Sequence, residues 1–126
     1  MRLHILSDDD GTLVPIEFKD LPFEPKRVFY VTEVPKGEER GNHAHFNTKQ
    51  ILVCVQGQIM VKIYDGKKWY KKIIMPNDAV FVDKMLWDSQ VFMTGNDILL
   101  SICSTSYDKS DYIETIPEFL EVKRYS

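Results

Sequence analysis

The segment Gly37-Glu38-Glu39-Arg40-Gly41-Asn42-His43-Ala44-His45 holds the densest chemistry in this chain. The chain has three histidines, and two of them stand here with one residue between them. In an extended strand, positions i and i+2 point to the same face. His43 and His45 therefore converge on one site and Ala44 turns away. Imidazoles titrate near neutrality, so a converging pair suits proton transfer. The competing reading is two surface histidines on a strand. His4 stands alone and reads as incidental. A metal site is the other chemistry a histidine pair offers. It requires roughly three or four N, O or S ligands. Glu38, Glu39 or Asp88 would have to complete the set, and none stands at a suitable spacing.

Short β-strands must carry these residues. Runs rich in aromatic and β-branched residues predict strands over 27–32, 50–55, 58–64, 69–75, 79–82 and 98–103. Gln56-Gly57, Pro76-Asn77-Asp78 and Thr94-Gly95-Asn96-Asp97 read as turns between them. Asp65-Gly66 predicts a type I′ hairpin, which needs positive φ at both central residues. Strands recurring at this spacing point to an all-β sandwich or barrel. One helix is expected, over 115–122, with Thr115 as N-cap, Pro117 in the first turn, Glu118 at N3, and Phe119 and Leu120 as apolar anchors. Pro15, Pro22, Pro25 and Pro35 make the first third irregular, so it wraps the core or reaches out as an arm. The strand at 50–55 is apolar on both faces: Ile51, Val53 and Val55 on one, Leu52 and Cys54 on the other. It needs cover on two sides, from a second sheet or from a partner subunit.

Composition sets the outer bounds. With 126 residues, 44% hydrophobic and 28% charged, the chain reads as one globular domain spanning 1–126. The formal net charge is −3 and no long basic block stands out, which argues against nonspecific nucleic-acid binding. No apolar run approaches the roughly 18 residues of a membrane span, and the start of the chain does not read as a signal peptide. Cys54 and Cys103 are the only cysteines, each in an apolar strand-like run, and read as buried free thiols. Two widely spaced cysteines form neither a disulfide framework nor a zinc pattern, so a reducing cytoplasm is the expected setting.

The spacing from Gly37 through His43, His45 and Gln50 to Gly57 resembles the first signature of the cupin superfamily. Metal-binding cupins place a glutamate where Gln50 stands, and a later histidine near the position of Trp87. Arg40-Gly41-Asn42-His43-Ala44-His45 is similar to the RGxHAH signature of the dTDP-sugar 3,4-ketoisomerases within the cupins. The similarity continues through Asp65-Gly66 and Trp87 into Tyr107-Asp108-Lys109-Ser110-Asp111-Tyr112-Ile113 and Glu118-Phe119-Leu120. Phe46, where the family often has lysine, and Asp83-Lys84-Met85, where it often has prolines, depart from the pattern at what would be the pocket rim.

The resemblance implies a cupin jelly-roll β-barrel with a short C-terminal helix, working as a homodimer without metal or other cofactor. It implies conversion of dTDP-4-keto-6-deoxyglucose to its 3-keto isomer, followed by a PLP-dependent aminotransferase in the making of surface glycans. It maps His43 and His45 onto the proton-transfer pair, Arg40 onto the motif arginine, and Tyr30 onto a tyrosine of the preceding strand. Each further residue keeps two readings. Arg40 binds diphosphate or an enediolate oxygen, or forms a surface ion pair. Arg27 is a second phosphate candidate. Tyr30 relays a proton or fills the core. Gln50 contacts substrate or orients a histidine. Trp87 walls the pocket or fills the barrel. Tyr107, Asp108, Asp111 and Tyr112 are expected to brace the C-terminal turn. The competing functions are a metal-dependent cupin, an epimerase and a non-catalytic nucleotide-sugar binding module.

Overall fold

The computed structural model describes residues 1–126. Its strands are β1 (Leu6–Asp8), β2 (Gly11–Leu13), β3 (Arg27–Val31), β4 (Glu39–His45), β5 (Gln50–Gln56), β6 (Ile59–Tyr64), β7 (Trp69–Ile74), β8 (Ala79–Val82), β9 (Trp87–Phe92), β10 (Ile98–Cys103) and β11 (Tyr112–Ile113), and its helix is α1 (Ile116–Arg124). One sheet has the order β3-β10-β5-β8 and the other β11-β4-β9-β6-β7, with every neighbouring pair antiparallel. β1 and β2 form a separate exposed hairpin. The two large sheets pack face to face as a cupin jelly roll.

Alternation along the strands divides the space between the sheets into two parts. At one end Leu52, Cys54, Ile59, Val61, Ile74, Val82, Phe92 and Leu99 make a dry core. Two residues along, the same strands present polar groups on the same face: Gln50 on β5, Ser101 and Cys103 on β10, Asp88 and Gln90 on β9. The barrel is therefore apolar at one end and polar at the other, and that polar end is where β4 delivers its histidines.

β5 is covered on both sides, as its two apolar faces require. Leu52 and Cys54 face the second sheet. Ile51 and Val53 pack with Ala79 and Ile102 beneath Leu3, Ile16, Leu21 and Phe23, so the proline-bearing first third supplies the second cover. The expected helix forms and runs two residues further than its sequence limits. The Thr115 hydroxyl accepts from the Glu118 N–H at 3.2 Å, closing the cap. Phe119 is the buried anchor of α1, 6.0 Å from the Trp87 ring.

Two expectations about elements need correcting. Asp65-Gly66 does not make a two-residue type I′ turn. Tyr64 pairs with Trp69, leaving four residues, 65–68, in the loop. Only Gly66 has positive φ there, and the Asp65 carboxylate accepts from the Lys67 and Lys68 N–H groups at 2.8 Å each, which fixes the longer turn. β9 carries no clear strand signal in the sequence, because Asp88-Ser89-Gln90 hides its alternation behind three polar residues.

Candidate active site

A bulge in β4 aims the site. Arg40 and His43 are an odd number of residues apart, so a regular strand would point them to opposite faces. Gly41 and Asn42 have φ of 90° and 60°, and the register against β9 shifts between Gly41 and His43. The extra residue turns both Arg40 and His43 into one cavity. Gly41 is required twice over. Its φ is left-handed, and a Cβ there would lie 3.1 Å from the Ser89 Cα and 3.2 Å from the Asp88 carbonyl oxygen.

The cavity has a volume of about 230 Å³. β4, β9 and β11 supply Arg40, His43, Asp88, Gln90 and Tyr112; the opposite sheet supplies Phe29, Gln50, Leu52 and Leu99. His43 and His45 share a face as the sequence predicts, with ring centroids 4.9 Å apart, and Ala44 turns the other way against Trp87, Ile113 and Phe119.

The two histidines have different surroundings. His45 is buried, and its Nδ1 lies 3.0 Å from Asp111 Oδ2. Asp111 also accepts from the Asn47 N–H at 2.7 Å, the Thr48 N–H at 3.3 Å and the Thr48 hydroxyl. Burial pushes the Asp111 carboxyl up, but those hydrogen bonds outweigh it and hold the group below its ordinary value. An ionised Asp111 makes His45 Nδ1 the N–H donor, so Nε2 carries a free lone pair and has no protein partner. Burial lowers the His45 pKa, and the Asp111 contact opposes that. His43 has no carboxylate partner. Burial and then the nearby His45 push it down to about 4, so at neutral pH it is an uncharged imidazole able to accept a proton.

Three expected residues reach the cavity: Arg40, His43 and Gln50. The Gln50 amide donates to Ser101 Oγ at 3.2 Å and to Cys103 Sγ at 3.6 Å, not to either histidine. Arg40 has no salt-bridge partner; the neighbouring Glu39 is taken by Lys62 at 2.7 Å. Arg27 sits beside the lining, its guanidinium carbon 5.5 Å from the Phe29 ring centroid and 5.6 Å from that of Tyr107. Its Nε is buried and unpartnered.

Two expected residues lie elsewhere. Strand alternation points Phe29 and Val31 into the cavity and Tyr30 out of it, and Tyr30 is 71% exposed on the outer face of β3. Within one chain Tyr30 does not reach the histidines. Trp87 is buried on the far side of its sheet, where it packs against Ala44, Ile113 and Phe119. It fills the helix-packing core and does not wall the cavity.

Four residues belong to the site although no local signal in the sequence marks them as such. Tyr112 does more than brace the turn: its ring centroid lies 5.1 Å from that of His43 and 4.4 Å from that of His45. Asp111 orients His45. Asp88 and Gln90 line the cavity from β9. Pairing of Tyr112 with His45 across β11 and β4 places that ring, and no local motif announces the pairing. No group of three His, Cys, Asp or Glu side chains is placed to hold a metal ion.

The fold and site have clear relatives. The family model described as FdtA, WxcM-like, C-terminal matches residues 1–124. A TDP-4-oxo-6-deoxy-alpha-D-glucose-3,4-oxoisomerase from Aneurinibacillus thermoaerophilus is 34% identical over 115 residues, spanning 89% of this chain and 82% of the relative. A 3,4-ketoisomerase from Helicobacter canadensis superposes with a TM-score of 0.92 at 29% identity, covering 98% of this chain and 94% of the other. QdtA, a sugar 3,4-ketoisomerase from Thermoanaerobacterium thermosaccharolyticum solved with TDP, gives 0.93 at 28% identity, covering 98% and 92%. With a family model spanning nearly the whole chain and these relatives beside it, the chain belongs to the FdtA family of sugar 3,4-ketoisomerases.

Proposed function

We propose that this chain converts dTDP-4-keto-6-deoxyglucose to the 3-keto isomer through an enediol, with His43 as the carbon base and His45 as the proton carrier between the sugar oxygens. The observation that carries the reading is the asymmetric histidine pair: an unpaired imidazole on the cavity wall, and behind it a second one held by Asp111 with a free Nε2. Moving a ketone between adjacent carbons needs such a division of labour. One base removes the C3 proton, which the C4 carbonyl acidifies, and a relay moves the O3 proton to O4. A QdtA variant with histidine replaced by asparagine was solved with TDP-4-keto-6-deoxyglucose, which supports the same substrate here.

The cavity volume of about 230 Å³ falls below the roughly 300–1,000 Å³ of sites that enclose a whole drug-sized ligand. It suits the hexose, with the diphosphate lying over the rim near Arg40 and Arg27. The 1–126 chain acts as one domain and needs no metal or other cofactor. A homodimer is supported by apolar surface on the outer face of the four-stranded sheet, at Val28 and Tyr30, and on the β1–β2 hairpin at Leu6 and Leu13. The buried free thiols Cys54 and Cys103 fit a cytoplasmic setting. The 3-keto product suits a PLP-dependent aminotransferase acting at C3, for surface-glycan synthesis.

Proton NMR of the purified protein with dTDP-4-keto-6-deoxyglucose in deuterated water tests the reading. A 3-keto sugar carrying deuterium at C4 is expected. An inverted stereocentre with the carbonyl unmoved would make the chain an epimerase, and neither product nor exchange would leave a binding module.

A further inference from the structure

Asp88 stands outside the histidine pair, yet it is placed like a reacting group. Its residue is 1% exposed and its carboxyl lines the cavity. One oxygen, Oδ1, accepts from the Gln90 amide at 2.6 Å. The other, Oδ2, is buried with no partner. Asp88 stands directly opposite His43 in the β4–β9 register. Cross-strand partners on one face have Cβ atoms about 4.5–5.5 Å apart. Base and carboxyl are therefore side by side on one wall.

The cavity also lacks the phenol expected from β3, since Phe29 occupies the inward position. His43 and a relay between oxygens leave one role open, the delivery of a proton to C4. We propose that Asp88, as a neutral carboxylic acid, is that donor. This inference rests on the ketoisomerase reading.

The proton ledger closes. His43 takes the C3 proton, the C3–H pair becomes the C3=C4 bond, and the carbonyl π pair moves onto O4. The C3=C4 pair then takes the Asp88 proton at C4, the O3–H pair becomes the new C3 carbonyl, and the O3 proton passes through His45 to O4. The enzyme is left with protonated His43 beside ionised Asp88. One transfer between these neighbours restores both. The resting charge states match the roles: burial, only partly opposed by the Gln90 hydrogen bond, pushes the Asp88 carboxyl up to about 7. His43 is neutral at the same pH.

Asp88→Asn separates the two half-reactions. The variant keeps the size of the side chain and an acceptor for Gln90, but has no proton to give. Turnover should fall by about 100-fold or more, while exchange of the substrate's C3 hydrogen with deuterated water continues, because His43 still makes the enediolate. His43→Asn should abolish both. Wild-type turnover in Asp88→Asn overturns the proposal, and so does a parallel loss of turnover and exchange, which would mark a structural role.

The wild-type pH profile gives a second test that needs no variant. The charged or titratable groups facing Asp88 are His43 and Arg40 on β4 and Tyr112 on β11, with His45 behind them. β6 offers Ile63, and the opposite wall offers Phe29, Gln50, Leu52 and Leu99, none of which titrates, with the Cys103 thiol behind Gln50 and the Arg27 guanidinium beside Phe29. kcat should therefore fall about tenfold per pH unit above about 7. A kcat flat from about pH 6 to 9 overturns the proposal. A wild-type chain that neither exchanges nor isomerises sinks this inference together with the parent reading, which sets that outcome apart from a fault in Asp88 alone.

Discussion

His43 and His45 lie two residues apart on one strand, yet the protein treats them differently. His45 is held at Nδ1 by an ionised carboxylate that three further hydrogen bonds fix in place. His43 has no such holder and faces the cavity beside a carboxyl with one free oxygen. A symmetric motif, His-Ala-His, thus acquires asymmetry from the strand neighbours it meets. β11 meets His45 and brings Tyr112, with Asp111 immediately before it. β9 meets His43 and brings Asp88.

Replacing each imidazole in turn should have the largest effect. His43→Asn should lower turnover by about three to four orders of magnitude, and His45→Asn by about two to three. The pair should also differ in exchange. His45→Asn should retain C3 hydrogen exchange, since the carbon base is intact, whereas His43→Asn should lose it. Equal exchange in the two variants, measured by NMR in deuterated water, would abolish the division of roles. Wild-type turnover in both would remove the histidines from the reaction.

A smaller change tests the geometry that separates the two sides. Gly41→Ala puts a Cβ at a φ of 90°, 3.1 Å from the Ser89 Cα. The left-handed backbone and the crowding against β9 should cost about 2–3 kcal/mol, read from urea unfolding. The bulge aims Arg40 and His43 but lies outside the His45–Asp111 contact. Turnover should fall while the His45 side keeps its protonation behaviour. A fully stable Gly41→Ala chain would show that the bulge tolerates a side chain and does not depend on glycine.

Much of the fold was legible because strand signals are local. Residues 50–55 and 98–103 are short apolar runs with β-branched residues, and Thr115 with Glu118 announces the helix start. The shared face of His43 and His45 follows from strand period alone. What stayed hidden depended on partners distant in sequence. Tyr30 and Phe29 are adjacent aromatics, and only the pairing of β3 with β10 decides which one enters the barrel. Trp87 begins a strand whose Asp88 and Gln90 face inward, so the conspicuous ring marked the wrong face of β9. Asp88 reads as an ordinary surface acid until the register sets it beside His43. The bulge was equally illegible, although the Gly41-Asn42 pair, suited to positive φ, was its one local trace.

The gentlest test of the His43 side is stability against pH, and its sign can be worked out group by group. Burial raises the folded Asp88 carboxyl to about 7 from an ordinary value near 3.8. Between those values the folded chain holds a proton that the unfolded chain has released, so this group's stabilising contribution is fully present below about pH 4 and is lost as pH rises through about 7. His43 runs the other way. Its folded value is lowered to about 4 from 6.5, so its contribution is present above about pH 6.5 and is lost as pH falls through about 4. Asp88→Asn removes only the first of these. The variant should match the wild type at pH 4 and melt about 5 °C higher at pH 8, where the wild type carries an unpartnered buried charge. The His45 side offers no such gain, because Asp111 is already held ionised by its hydrogen bonds and His45. If the two melting curves shift together across this range, Asp88 does not change charge there, and the contrast between the two sides of the pair would lie in geometry alone.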